Sequence, residues 1–510
     1  MLKSESYKRG AVVSTGLNIL VKSALFLNTI IIAYYFGTGI DTDLYFYIFT
    51  TVTLIAGLAN GMDLAVIIPE GMHVRVDHGL EEAIGFYNFF GLGYIIIGVV
   101  LTAIFLFLGI PLYTAVSSFS NTELNNHSSL LMLSSLLPVL MITTSYLTSV
   151  LTTLKYFTAP LIASGIVQIC ALVSLVLFHN QFGVSALFGG MIVGYILNLV
   201  ILLCFMYFKL DWHFRFSTKH VTKRVKKNLG SVQMGNMATF AFNYGIITVL
   251  SSLPTGIYSA YNYSMQVLNI PNNFFVSQVA AVAGIKLNEL SAKGLWADMN
   301  KVFSETINIL LFVIVPFCFI TFLYSHVIVN FLFLRGDFTS DSAEKVSFFL
   351  RYLIFLSPCL AINTFISRLM TAGKKVSHAF YFQLGFNLSM LILILLFTKF
   401  YKESGFVITM LSSYYFYICV VCIFLFKWLM PFIAYKNVIK SMVLIFLYNL
   451  PFLWIFYKIF GESQPIPILV MIAMLYYAAV LGFNYFIKIS RPTDLYIVRT
   501  INLVRLKIRS

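Results

Sequence analysis

The chain has 510 residues, of which 59% are hydrophobic and 10% carry a charge. Soluble proteins are typically about half apolar and about a quarter charged, so this composition excludes a soluble globular protein and predicts an all-α polytopic membrane protein. The formal net charge of +15 at pH 7 does not imply a nucleic-acid partner, because the basic residues fall mainly on alternate predicted loops.

Apolar segments long enough to cross a bilayer follow one another along the whole sequence. A bilayer core of about 30 Å needs about 20 mostly apolar residues per helix, and on that rule we predict about fourteen transmembrane helices. Their expected extents are 11–36, 44–69, 84–110, 129–152, 158–178, 183–208, 232–253, 257–285, 304–333, 346–371, 379–400, 405–428, 438–458 and 467–488.

Lysine and arginine indicate the orientation of these spans. They cluster before span one, in the connection 209–231 and in the tail 489–510, whereas the connections 37–43, 112–128 and 179–182 contain none. The positive-inside rule therefore predicts that both termini are cytoplasmic. Attraction to anionic lipid headgroups accounts for the basic excess, so membrane lipids are the expected partners of these loops.

Two short correspondences indicate an internal repeat. Thr38-Gly39-Ile40 follows span one, and Thr255-Gly256-Ile257 follows span seven. "GLEEAIGFYN" from Gly79 and "GLWADMNKVF" from Gly294 each precede the next odd-numbered span. Weak internal similarity at matching places in the span order is typical of transporters built from two related halves. We expect Gly39 and Gly256 to permit tight reversals between helices.

The repeat predicts a division of the chain into two six-helix lobes with additions. The N-terminal lobe is expected at 1–208 with spans one to six, and a basic cytoplasmic linker at 209–231. The C-terminal lobe is expected at 232–428 with spans seven to twelve. An extra helix pair at 429–488, spans thirteen and fourteen, precedes a basic cytoplasmic tail at 489–510.

Ionisable side chains inside predicted spans are candidates for function, because each costs about 2.5 to 3.5 kcal/mol on insertion scales. Lys22, near the middle of span one, is placed to hold an anionic headgroup such as a diphosphate. An ion pair with Asp63 and snorkelling toward the membrane surface are the alternatives. For Asp63 in span two and Asp43 after the first turn, a coupling or gating role and a helix-end or ion-pair role both stay open.

Amide side chains concentrate in spans two, seven and eight. Asn262, Gln266, Asn269 and Asn273 recur at helical spacing in span eight, so we expect them to form one polar stripe. A polar stripe on a membrane helix typically lines water or a hydrophilic ligand. We therefore predict that these residues, with Asn60 in span two, bind substrate; hydrogen bonding between helices is the alternative.

Motifs of soluble enzymes are missing from the sequence. It contains neither the phosphate-binding pattern G-x-x-x-x-G-K-[ST] nor the metal-binding pattern H-E-x-x-H. We therefore predict a transporter rather than an enzyme, with no cofactor, no metal site and no nucleic-acid partner. The "RGDF" sequence at 335–338 is interpreted as a loop turn before span ten.

Three segments carry a resemblance to a known family. They are "GTGIDTDLYFYIF" after span one, "GIYSAYNYSMQVLNIPNNFF" in span eight and "LRGDFTSDSAEKVSFFLRYLIFLSPCLAINTFISRLMTAG" from Leu334. In order and spacing, the chain resembles the MurJ/MviN-type lipid II flippases of the multidrug, oligosaccharidyl-lipid and polysaccharide exporter superfamily. The resemblance implies two six-helix lobes around a central cavity, a last helix pair that forms a lipid-tail groove, alternating access, and a bacterial cytoplasmic membrane.

The chain departs from that family at its cavity arginines. Family members carry arginines in spans one, two and eight, where this chain has Lys22 and Asn28, Ala56-Gly57, and Gln266; Asp43 matches the family aspartate after the first turn. Arginine offers a bidentate fork to a diphosphate that lysine and amides lack. The resemblance thus implies a divergent member with Lys22, Asn28 and Gln266 at the substrate site.

The residues and the resemblance together predict a flippase. Its substrate is expected to be a polyprenyl-diphosphate-linked saccharide, lipid II or a related cell-envelope glycan precursor. The energy source stays open among the membrane potential, a coupling cation and consumption of the product outside. Net movement requires that the two access states bind the substrate with different affinities. The alternatives are a cation-coupled small-solute or drug exporter of the same superfamily and, third, a membrane-embedded glycan polymerase or transferase.

Overall fold

The computed structural model describes residues 7–487 except 155, 157 and 374. This part of the chain is built from helices joined by turns and loops, and it contains no β-strand. The prediction of an all-α protein is confirmed. The basic tail expected at 489–510 lies outside the described residues.

The first ten helices belong to one compact unit, unit 1, which covers Met1–Ser259 together with Arg335–Phe338. The helices are α1 Tyr7–Phe36, α2 Ile40–Met62, α3 Ile68–His78, α4 Leu80–Val116, α5 Asn121–Asn126, α6 Ser128–Ser135, α7 Leu137–Thr153, α8 Thr158–Phe182, α9 Ser185–Leu210 and α10 Lys223–Ser251, with a π-helical turn Asp63–Ile67 between α2 and α3.

Close helix packing in unit 1 depends on small residues. A Cβ atom on Gly190 of α9 would lie 2.6 Å from the Cys170 carbonyl oxygen of α8, and one on Gly194 would lie 2.7 Å from the Val167 Cα. Two glycines four residues apart let the helix backbones approach closely, as is common inside membranes, where packing rather than hydrophobicity drives helix association.

The second unit covers Ala260–Leu334 and Thr339–Ser510. Its helices are α11 Ile257–Pro271, whose first turn belongs to unit 1, α12 Ser277–Ala292, α13 Trp296–Leu323, α14 Ser325–Phe333, α15 Ser340–Leu353, α16 Leu356–Ala372, α17 Val376–Phe416, α18 Cys422–Leu429, α19 Tyr435–Phe460 and α20 Ile466–Ile487, with π-helical turns Asn272–Val276 and Tyr417–Val421. The division between the units falls later in the chain than the lobe boundary expected at 209–231, because α10 packs along α2.

Helix α13 forms the centre of unit 2. It packs against α12, α16 and α19, and its apolar side chains are buried on several faces, among them Leu311, Phe312, Ile314 and Val315. The last two helices are joined by a buried polar contact, in which the Tyr476 hydroxyl donates to the Asn449 side-chain oxygen at 3.1 Å.

Ten helices of the described chain are long and apolar enough to span a membrane, or eleven if the bent pair Ser340–Leu353 and Leu356–Ala372 counts as one span. One of the ten, Tyr381–Val420, contains the non-helical residue Lys402, which lies in the connection expected between the spans 379–400 and 405–428. The chain is thus a multi-pass helical protein, and the number fourteen stays a prediction.

The repeat predicted from sequence has a backbone counterpart. Gly79, directly before α4, and Gly294, two residues before α13, both have positive φ, 92° and 68°. Positive φ is readily adopted only by glycine. Each matched segment therefore enters its helix by way of a glycine with positive φ.

Candidate functional site

Asp43 lies at the start of α2 and is 4% exposed. Its carboxylate accepts hydrogen bonds from the backbone N–H groups of Gly256 at 2.6 Å and Ser259 at 2.7 Å. Gly256 directly precedes α11 and Ser259 lies in its first turn, where the unpaired N–H groups and the helix dipole favour a negative charge. Asp43 thus ties the first repeat turn to the second.

The two repeat turns use their glycines differently. Gly256 has φ +86°, and a Cβ there would also approach the Thr38 carbonyl oxygen at 3.3 Å. Gly39, by contrast, has φ −163°, which is extended backbone that any residue adopts. The positive φ of the first turn lies at Gly37, at +54°. The expectation that Gly39 permits the reversal is therefore wrong.

The "RGDF" turn packs against the end of α1, a contact that the sequence did not reveal. The Asp337 N–H donates to the Tyr34 carbonyl oxygen at 2.8 Å. Gly336 has φ +61°, and a Cβ there would overlap the same carbonyl oxygen. A Cβ on Gly37 would lie 2.5 Å from the Asp337 carbonyl oxygen. The glycines allow these backbones to touch, and the turn belongs to unit 1.

Lys22 and Asn28 occupy different faces of α1. Asn28 is 4% exposed, and its Nδ2 donates to the Gln168 carbonyl oxygen at 3.1 Å and to the Gln168 Oε1 at 3.2 Å. Val21, on the same face, contacts the position of Gly165 on α8. Lys22 is half-buried and follows Val21 by about 100° around the helix, so it lies on a neighbouring face.

Asn60 and Asp63 lie at the end of α2 that leads into the π-helical turn. Asn60 is half-buried and its Oδ1 accepts a hydrogen bond from the Ser145 hydroxyl. Asp63 is 0% exposed, and the hydroxyls of Tyr94 and Ser149 lie beside it. Neither Asp63 carboxyl oxygen makes a hydrogen bond of standard geometry with a described residue.

The amides of span eight lie on one side of α11 and its π-helical continuation. Asn262, Gln266, Asn269 and Asn273 are all half-buried. The opposite side of the helix carries buried residues, namely Ala260, Tyr263, Ser264, Val267 and Leu268. The side chains of Gln266 and Asn269 form no hydrogen bond with any described residue. The stripe is therefore the less buried face of this helix.

The predicted site residues fall into two groups by unit. Lys22, Asn28, Asp43, Asn60 and Asp63 lie in unit 1, and the four amides of the stripe lie in unit 2. Within unit 1, Asn60 and Asp63 lie near each other, whereas Asp43 lies at the opposite end of α2. Hydrogen bonds from distant segments engage Asn28, Asp43 and Asn60.

Comparison with known proteins assigns the family. The profile of the lipid II flippase MurJ family matches residues 32–475 of this chain. The chain belongs to the lipid II flippase MurJ family. It is therefore a transporter and not an enzyme, and its expected partners are a lipid-linked substrate and membrane lipids.

Individual relatives agree with this assignment. The chain is 25% identical over 349 residues to the probable lipid II flippase MurJ of Borreliella burgdorferi. The aligned stretch covers 65% of this chain and 67% of that protein. A solved structure of lipid II flippase MurJ in an inward closed conformation has a TM-score of 0.77 at 19% identity, over 94% of this chain and 99% of that one.

Proteins outside this family share the fold. An inward-facing multidrug resistance MATE transporter of the MOP superfamily has a TM-score of 0.66 at 12% identity, over 84% of this chain and 99% of that chain. At this identity the likeness concerns the fold alone. The resemblance to the MurJ/MviN-type family is confirmed.

Proposed function

We propose that this chain moves a polyprenyl-diphosphate-linked saccharide, lipid II or a related cell-envelope precursor, from the cytoplasmic to the outer leaflet by alternating access. Membership of the MurJ family supports the transport class. The observation that carries the proposal is the amide stripe on α11, whose Gln266 and Asn269 side chains form no hydrogen bond within the described chain. Amide side chains on the half-buried face of a helix can donate hydrogen bonds to, and accept them from, the hydroxyl groups of a saccharide.

Lys22 is the proposed site for the diphosphate. It is half-buried within a helix whose neighbouring side chains are almost all apolar, and its ammonium is a point charge suited to a phosphate oxygen. The stripe of Asn262, Gln266, Asn269 and Asn273 is proposed to hold the saccharide. A charge-assisted hydrogen bond is worth about 1.5–3 kcal/mol, so losing Lys22 should weaken substrate binding by about ten- to a hundredfold.

The remaining unit 1 residues are proposed to position helices around the substrate path. Asn28 is bonded to Gln168, Asn60 to Ser145, and Asp43 to the first turn of α11. Each contact joins segments that are far apart in sequence, so each restrains helix positions. In this proposal Asp43 acts in gating through the contact that it makes between the repeat turns.

Asp63 is the proposed coupling residue, and a proton is the proposed coupling ion. A carboxylate costs free energy when it is buried, and Asp63 is 0% exposed, which supports a role in binding and releasing a proton. Opening of the site to water on one side would let the proton leave. The lobes at 1–208 and 232–428 are proposed to rock about the linker 209–231, with the helix pair 429–488 holding the polyprenyl tail.

The proposed location is a bacterial cytoplasmic membrane with both termini cytoplasmic. Family membership supports the membrane, and the positive-inside distribution of Lys and Arg supports the orientation. Labelling of single cysteines placed at 217 and at 120, on opposite sides of the expected bilayer, tests it: an impermeant reagent should reach position 120 alone in intact cells.

Replacement of Lys22 tests the substrate site. The Lys22→Ala variant should reach the membrane at the wild-type level and fail to complement a flippase-depleted strain, because the diphosphate loses its cation. Lys22→Arg is the matched control and should sustain growth, since it keeps the charge. Normal growth of the Lys22→Ala strain would remove Lys22 from the site.

Native mass spectrometry of the purified chain with lipids extracted from its host membrane tests the substrate class. We expect a bound polyprenyl-diphosphate saccharide, whose mass identifies the glycan. Retention of ordinary phospholipids alone, under conditions where a known lipid-linked flippase keeps its substrate, would contradict the proposal and favour a small-solute exporter.

The coupling role of Asp63 is tested in proteoliposomes with an imposed proton gradient. The wild-type rate of flipping should depend on the gradient, whereas the rate of the isosteric variant Asp63→Asn should be the same with and without it. An Asp63→Asn variant that still responds to the gradient would exclude this residue as the proton site.

A further inference from the structure

The connection between α9 and α10 is fixed to the protein rather than free. Asn88 of α4, 7% exposed, accepts a hydrogen bond from the Trp212 Nε1 at 2.8 Å and donates to the carbonyl oxygens of His213 at 2.7 Å and Arg215 at 2.9 Å. The Ser217 N–H donates to the Gly85 carbonyl oxygen at 3.0 Å. Residues 211–217 therefore form a wall over α4.

An apolar cavity of about 220 Å³ lies behind this wall. Side chains of α4, α7 and α9 line it, and Trp212, Phe214 and Phe216 close one side. Phe214 is 71% exposed and Phe216 is 54% exposed, so the aromatic rings also face outward, as is typical near the lipid headgroups. The cavity is smaller than the about 300–1,000 Å³ typical of sites for whole ligands, which suits part of a hydrocarbon chain.

A second cavity of about 450 Å³ adjoins the first, because Trp212 lines both. Its wall carries Arg75 and Lys209 together with one carboxylate, Asp211. Neither basic side chain forms an ion pair with a described residue. By contrast, Arg224 nearby in sequence is paired with Glu70 at 2.9 Å. The second cavity therefore offers unpaired positive charge beside a site for hydrocarbon.

We propose that these two cavities bind one anionic glycerophospholipid, with its phosphate at Arg75 and Lys209 and an acyl chain behind Trp212. Cations complement the phosphate, and the apolar cavity complements the chain. The same wall carries the apolar side chains Leu80, Ile84 and Leu154 beside the polar groups of Tyr156 and Asp211, so the competition experiment below separates a phospholipid headgroup from a saccharide one. The lipid would hold the 211–217 wall and α4 to one leaflet.

The test compares two phospholipids on the purified full chain in mild detergent by native mass spectrometry. Dioleoyl phosphatidylglycerol should bind more tightly than dioleoyl phosphatidylcholine, which has the same chains. The double variant Arg75→Gln/Lys209→Gln should lose about tenfold in phosphatidylglycerol affinity, the loss expected for a charge-assisted hydrogen bond. Both side chains are exposed, so this variant should keep the wild-type thermal stability.

A matched control removes the same charge elsewhere. Lys223 and Lys226 are exposed at the start of α10 and line neither cavity, so Lys223→Gln/Lys226→Gln should bind phosphatidylglycerol like the wild type. An equal loss in both double variants would overturn the proposal in favour of a general charge effect. Equal binding of dihexanoyl and dioleoyl phosphatidylglycerol would overturn the acyl-chain site.

Competition identifies the occupant. A polyprenyl-diphosphate saccharide should leave phosphatidylglycerol bound. If it displaces phosphatidylglycerol from the wild type and loses affinity in Arg75→Gln/Lys209→Gln, the cavities belong to the transport substrate and the phospholipid proposal is overturned. The flippase proposal is unaffected by either result, because it depends on Lys22 and the α11 stripe.

Discussion

Replacement of Asp43 should destabilise the protein, because two backbone N–H groups depend on its carboxylate. The hydrogen bonds measure 2.6 and 2.7 Å, and the side chain is 4% exposed. An unpaired buried donor costs about 1–3 kcal/mol, and the carboxylate's own desolvation offsets part of the gain from the contact. We therefore expect Asp43→Ala to lower the free energy of unfolding by about 3 kcal/mol.

The neighbouring Asp41 provides a matched control. Its side chain is 51% exposed and its carboxylate lies 2.7 Å from the His127 Nε2. Exposed ion pairs are worth at most about 1 kcal/mol, so Asp41→Ala should have a small effect. Asp43→Asn keeps one acceptor oxygen and should fall between the two alanine variants.

Equilibrium unfolding in mixed detergent micelles, followed by far-UV circular dichroism, measures these differences. Transport by each variant is measured on the same samples in proteoliposomes. Equal stability of Asp43→Ala and Asp41→Ala would refute the reasoning from the two N–H groups. Loss of transport in Asp43→Asn at wild-type stability would show that Asp43 acts on substrate or ion rather than through α11.

Two further predictions concern backbone contacts and the linker. Gly336→Ala should destabilise the protein by at least about 2 kcal/mol, since positive φ costs about 1–2 kcal/mol and the new Cβ overlaps the Tyr34 carbonyl oxygen. Gly461→Ala is its control, because Gly461 also has positive φ, +68°, but nothing lies within 4 Å of its Cβ position. Its thermal unfolding temperature should therefore fall only by the conformational cost of positive φ. Equal decreases in unfolding temperature for both variants would contradict the close contact at Gly336. Asn88→Ala should speed tryptic cleavage within 211–217, because three hydrogen bonds to that segment are lost; wild-type cleavage rates would show that other contacts hold it.

Structural features that depend only on residues close together in the sequence were predictable. The positive-φ turns at Gly79 and Gly294 lie where the repeat places them, and the helix break at Lys402 lies in an expected connection. The α11 stripe follows from helical spacing alone, and the structure places it opposite the buried side of the helix. Hydropathy and helical periodicity sum local contributions, so sequence suffices for them.

Contacts between distant segments were not predictable from one sequence. The docking of the "RGDF" turn on Tyr34 joins residues about 300 positions apart, and the bond between Asp43 and Gly256 spans 213 positions. Only a faint signal pointed to either contact, namely glycines in turns. The segment 209–231 was expected as a basic linker between lobes, and its attachment to α4 through Asn88 had no sequence signature.

The sequence by itself determined that this protein is a helical membrane protein, because the hydrophobic effect and helix geometry act on local composition. Tertiary structure alone decided which polar side chains are already hydrogen-bonded within the protein and which are available to bind a substrate or an ion. Asn28 and Asp43 are engaged by partners far along the chain, whereas Asp63 and Gln266 have no hydrogen-bond partner among the described residues. The physical reason is that the partners of a polar side chain belong to whichever segment folds against it, and that segment is set by packing over the whole chain.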